Sequence, residues 1–145
     1  MSSEKIRGII IRENFSGESD KFLTIFAKDI GKISVFAKGA RNTKSKFLAS
    51  SSLFTYGDFI IRTVTKTPTL LTADVIESFY NIRTDLAATA YGSYFAEFID
   101  KSLIDKVADN NAMLLLLKSL QKLSKENAEP RLTGCIFQLR FLDIL

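Results

Sequence analysis

Residues 22–38, FLTIFAKDIGKISVFAK, decide the fold. Side chains alternate across a strand, and on either side of Asp29-Ile30-Gly31 this run sorts into two sets. Leu23, Ile25 and Ala27 share one face of the first arm; Ile33, Val35 and Ala37 share one face of the second. Gly31 can supply the positive φ of a tight hairpin turn. The spacing predicts two strands, Phe22–Lys28 and Lys32–Lys38, with the aliphatic set turned into a core. The opposite face then carries Phe26 and Phe36 among Lys28, Lys32 and Lys38.

Outward from this hairpin the same short period continues. Lys5–Arg12 reads as a strand before it, and Phe54–Val64 and Leu70–Phe79 as strands after it, the last two joined by Lys66-Thr67-Pro68. Five short strands suggest a small barrel, and five is the count of an OB-fold. From Thr84 the period becomes helical. Leu86, Ala90, Tyr94 and Phe98 recur every four residues, with Ala87, Tyr91 and Phe95 beside them, behind Thr84 or Asp85 as N-cap. Asp109 or Asn110 can cap a second helix bearing Met113, Leu116, Leu117, Leu120 and Leu123. Pro130 fits the first position of a third, with Leu132, Ile136, Leu139 and Leu142 on its face. The expected architecture is α+β: a five-stranded OB-fold barrel over 1–80, then a small helical domain over 81–145. The third helix reaches Leu145 without a stop signal, so a fragment of a longer protein is expected.

Composition removes several function classes. The chain has no His and one Cys, Cys135, so the commonest general base, the commonest metal ligand and any internal disulfide are absent. Cys135 lies on an apolar stretch and is expected to be buried. The start has no signal-peptide pattern. The longest apolar run, Ala112–Leu117, falls far below the roughly 20 residues that span a bilayer. A cytoplasmic protein without a membrane partner is expected, and no enzyme.

Charge is unevenly spread. Residues 1–66 hold twelve Lys/Arg and six Asp/Glu, net +6, whereas residues 67–145 hold eight and ten, net −2. An acidic partner therefore belongs on the first half. After the third strand comes KGARNTKSKF, residues 38–47, where Lys38, Arg41, Lys44 and Lys46 stand with no acid between them. Gly39 lets the chain turn, and Arg41, Lys44 and Lys46 extend the lysine-bearing face of the hairpin. Rings on such a face stack on bases while cations follow the phosphates. The candidate DNA-binding residues are Lys28, Lys32, Phe36, Lys38, Arg41, Lys44 and Lys46. For Phe26 and Phe36 two readings stand, stacking on bases or packing beneath a loop or against the helices with lysines reaching past them. Gly17-Glu18-Ser19-Asp20 reads as a turn; two carboxylates there do not make a metal site.

These residues resemble a family. GIIIREN (8–14), the segment 16–47 and SSLFTYGDF (51–59) are similar to the N-terminal region of the bacterial RecO recombination mediators. The shared features are Gly17–Asp20, Gly31–Ile33, Lys38–Arg41 and Lys44–Ser45. Residues 89–103 and 135–145 resemble helices of that family's second domain. Phe15-Ser16 stands where a tyrosine is usual. The resemblance implies an OB-fold and a helical domain. It implies binding of single- and double-stranded DNA, annealing of complementary strands, and recombinase loading in recombinational repair. The implied partners are RecR and the C-terminal tail of single-strand-binding protein. The family's cysteine zinc cluster would lie beyond Leu145, so no cofactor is expected in this chain. The alternative is a protein–protein adaptor whose helices dock a partner tail without DNA contact.

Overall fold

A computed structural model describes residues 3–64 and 66–144. Five strands come first: β1 (Ser3–Ser16), β2 (Asp20–Ala27), β3 (Gly31–Ala37), β4 (Tyr56–Arg62) and β5 (Thr69–Glu77). Four helices follow: α1 (Tyr80–Arg83), α2 (Leu86–Ser102), α3 (Asn110–Leu123) and α4 (Pro130–Ile144). The strands run in the order β1-β2-β3-β5-β4 and close into a barrel. The pairings are antiparallel apart from β3–β5, which is parallel and has Phe36 opposite Thr69 as its register pair among the described residues.

The hairpin has the expected parity. Leu23, Ile25, Ala27, Val35 and Ala37 fill the barrel interior with Ile6, Ile10, Phe59, Ile61 and Leu70. At the turn Gly31 has φ 96°, and Asp29 also takes a positive φ of 65°. Gly31 is needed for a second reason: a Cβ there would meet the Val107 carbonyl oxygen at 2.5 Å. Strand β1 is longer than its alternation suggested. Its run of isoleucines is buried on both faces, Ile10 in the barrel and Ile9 and Ile11 against the helices. A register shift between Ile10 and Arg12 reconciles the two.

The helices cover one side of the barrel. Their core joins Ile9, Ile11, Phe26, Phe54 and Phe79 to Phe95, Ile99, Leu116, Leu120, Phe137 and Phe141. Asp85 caps α2 by accepting from the Ala88 N–H at 2.9 Å, and Asp109 caps α3 by accepting from the Ala112 N–H at 3.0 Å. Helix α3 buries Met113, Leu116, Leu120 and Leu123 as expected, while Leu117 is half-buried and Leu115 is buried in addition.

The other two helices depart from expectation. Helix α2 buries Ala88, Gly92, Phe95, Ala96 and Ile99, while Leu86 and Tyr94 are exposed. Helix α4 buries Thr133, Gly134, Phe137 and Phe141, and leaves Leu132, Leu139 and Leu142 in solvent. The small residues turn inward because neighbours press on them. A Cβ on Gly92 would sit 3.0 Å from the Phe54 ring, and one on Gly134 would sit 2.9 Å from Tyr91. Large rings fill the space between, with Phe95 and Phe137 stacked at 4.3 Å. Cys135, expected to be buried, is exposed, since it lies beside Gly134 on the turned-out face.

Candidate nucleic-acid interface

The outer face of β2–β3 divides along its length. At the turn end, Phe26 is fully buried in the core shared with the helices. Lys32, expected beside it as a phosphate contact, is also buried, with a relative exposure of 4%. Its ammonium donates to the Asp100 backbone oxygen and pairs with the carboxylates of Asp100 at 3.5 Å and Asp105 at 3.2 Å. The Lys32 carbonyl in turn accepts from the Lys106 N–H at 3.0 Å. A buried ammonium needs such partners, and these come from the end of α2 and the loop after it. Lys32 is therefore a fastener between barrel and helices. Lys28 is exposed at this same end, a strand's length from Lys38.

The far end stays open. Phe36 is half-buried and lies 5.0 Å from its cross-strand partner Phe22. Lys38 is exposed. Gly39 turns the chain with φ 66°, and its N–H donates to the Asp20 Oδ1 at 2.6 Å. The Arg41 N–H donates to the Ser19 carbonyl at 2.8 Å, and its Nη2 donates to the Gly17 carbonyl at 2.9 Å. The acidic turn 17–20 and the basic segment 38–41 are thus two halves of one construction. The turn spends Asp20 and its carbonyls on shaping the loop, which keeps the loop's cations outward.

The remainder of the connection to β4 is pinned from beneath. Lys21 is buried, pairs with Glu13 at 2.7 Å and donates to Ser51 Oγ at 3.1 Å. The other Glu13 oxygen accepts from the Leu53 N–H at 2.9 Å. Phe47 sits among the barrel's interior residues, with the Lys46 ammonium 5.1 Å above its ring. Lys44 and Lys46 consequently project from an anchored segment.

Electrostatics separate this end from the β1–β4 wall. There Arg7 donates to the two Asp58 oxygens at 2.8 and 3.1 Å, and Lys5 stands 3.8 Å away. The Arg7 hydrogen bonds hold the Asp58 carboxyl below its ordinary value. Lys38, Arg41, Lys44 and Lys46 make no salt bridge among the described residues. No acid occurs anywhere from Ile30 to Gly57.

One residue of this surface escaped the sequence reading. Phe15, near the end of β1, is 69% exposed, and the Arg41 guanidinium lies over its ring at 4.6 Å. It sits beyond the alternating stretch, so parity gave it no face. The signal available was a bulky apolar residue two positions before the Gly17-Glu18-Ser19-Asp20 turn.

A closed five-stranded barrel with one cation-rich end, backed by a helical layer, is the architecture of an oligonucleotide-binding fold joined to a helical domain. The family model described as "Recombination protein O N terminal" matches residues 1–79, and that described as "Recombination protein O C terminal" matches residues 83–145. The chain belongs to the Recombination protein O family. It is 36% identical over 145 residues to the "DNA repair protein RecO" of Acetivibrio thermocellus, covering all of this chain and 58% of that protein. With its namesake from Bacillus cytotoxicus the identity is 35% over 142 residues, 98% of this chain and 57% of the relative. The chain thus spans less than two thirds of the length of these relatives. Among the described residues no helix is long and apolar enough to cross a membrane.

Proposed function

We propose that this chain is a non-enzymatic DNA-binding module of a recombinational-repair mediator. It binds single- and double-stranded DNA, brings complementary strands together for annealing, and assists recombinase loading. The observation that carries this reading is the set Lys38, Arg41, Lys44 and Lys46, which has no salt bridge among the described residues, on one anchored end of the barrel. Four cations facing phosphates predict a log–log salt slope near −3 for single strands, at about 0.7 per phosphate. Titration of a single-stranded oligonucleotide at two salt concentrations measures it. A slope near zero, or no binding at low salt, defeats the proposal. Replacing Arg41, Lys44 and Lys46 together by Ala should weaken binding to all sequences alike, because phosphate contacts carry no sequence information.

A second reading concerns protein partners, and the observation favouring it lies between α3 and α4. A groove of about 470 Å³ there is lined by Leu114, Leu115 and Ile136, and among its charged residues Lys118, Lys122 and Arg140 outnumber Asp143. An apolar lining with an excess of cations suits an acidic tail carrying an apolar end, such as that of single-strand-binding protein. If so, capture of that protein survives loss of the barrel-end charges and is lost in a Lys118→Glu/Arg140→Glu variant. RecR is the other partner proposed, without an assigned surface. The two readings are compatible in one molecule.

A further inference from the structure

We propose that Phe15, with Arg41 laid over it, is the seat of one unpaired nucleobase at the mouth of the groove between β1 and α2. This rests on the reading of the barrel end as the phosphate-contacting surface, and it names where a base goes once the backbone is held.

The ring is placed in water where packing does not require it. At 69% exposure it contributes little to either core, and its neighbour Lys21 across the β1–β2 register is turned inward to Glu13. The ring is also held in one place. The Arg41 guanidinium covers it at 4.6 Å while donating to the Gly17 carbonyl, so the turn that shapes the loop also fixes the cation over the aromatic. A guanidinium has five N–H donors. Arg41 spends one of them on Gly17, which leaves the rest for a phosphate beside the ring.

The groove continues from Phe15. It is about 590 Å³, with Ile11, Leu53 and Ala96 apolar and Ser93 polar; its three carboxylates, Glu13, Glu97 and Asp100, are paired with Lys21, Lys101 and Arg12. That volume lies within the roughly 300–1,000 Å³ of ligand sites. An apolar floor accepts the flat face of a base, and the polar groups meet its edge. Phe36 is the poorer platform, since Phe22 already packs on it. A base in a duplex is stacked on its neighbours and cannot enter, so the site distinguishes single strands from double.

The chain contains no tryptophan, and this makes the site directly observable. Phe15→Trp places a single reporter there. Titrated with an oligothymidylate, the Trp emission of the 145-residue chain should be quenched saturably. Phe15→Ala should lose about 5- to 150-fold in single-strand affinity, the range one stacked base supplies, with the salt slope and the duplex affinity unchanged. Unquenched emission at saturation, or an Ala variant that binds single strands like the parent, overturns the site while leaving the phosphate surface standing. If the parent itself shows no salt-dependent binding, the phosphate surface falls and the base site falls with it.

Discussion

At one end of the β2–β3 hairpin, Phe36 is half-exposed and Lys38 faces solvent. At the other, Phe26 and Lys32, on the same side of the same two strands, lie beneath α2 and the segment after it. Both ends repeat one sequence pattern, a phenylalanine near a lysine on the outward face. The difference comes from what is built over them. The helices cover the turn end, and there the aromatic becomes core and the lysine becomes an internal fastener. At the open end the same residue types stay accessible to solvent. Alternation tells which side of a sheet a residue is on. It does not tell whether a second layer lies over that side.

Mutation can test this division, and the largest effect is expected from Phe26→Ala. Truncating a fully buried aromatic costs about 3–5 kcal/mol, to be read from the denaturant midpoint. DNA affinity per folded molecule should not change, and a selective loss of affinity would place Phe26 back on the binding face. Lys32→Ala comes next, at about 2–3 kcal/mol. It removes the buried ammonium from beside the partly buried Asp100, which keeps Arg12 at 3.5 Å, and Asp105 is exposed enough to be rehydrated. Its salt slope should match the parent's. Phe36→Ala should cost less stability, about 1–2 kcal/mol including the lost contact with Phe22. It serves to separate the two ends, because a loss of single-strand affinity here alongside none at Phe26 is the expected contrast.

The smallest effect lies on the wall facing neither the helices nor the proposed ligand. Asp58 is held ionised by Arg7, so its folded-state pKa is depressed. A depressed carboxyl stabilises the fold above its unfolded value and loses that contribution as the pH falls through the folded one. The midpoint difference between the parent and Asp58→Asn should therefore be largest near neutrality and shrink in acid. A difference independent of pH would mean the pair acts through shape alone.

Much of the barrel was legible because its signals are local. Leu23, Ile25, Val35 and Ala37 alternate without interruption, and Asp29-Ile30-Gly31 has the residue type its turn needs. The cap of α2 at Asp85 and the start of α4 at Pro130 are local for the same reason. The faces of α2 and α4 were not legible. Helix α4 spreads apolar and polar residues alike around its circumference, so period alone gives no direction, and the deciding contact is Gly134 against Tyr91, 43 positions earlier. At the candidate site the cations of 38–46 could be read from the absence of acids. The burial of Lys32 could not, because its partners Asp100 and Asp105 lie about 70 residues away and look like ordinary solvated helix-end charges. Phe15 was missed since its importance lies in Arg41, which reaches it across the turn.

The parallel junction of β3 with β5 has a further implication. Four of the five seams of the barrel are long antiparallel ladders, whereas this one aligns Phe36 with Thr69 alone among the described residues, assisted by the Phe36 N–H donating to the Pro68 carbonyl at 2.8 Å. Local opening follows the least-bonded path, so the cylinder breathes here first, beside the cationic rim. The Phe36 amide should exchange with solvent deuterium sooner than those of Ile25 or Phe59. A strand lying across the rim would act as a clasp, and its arrival should be visible as slowed exchange at that one amide.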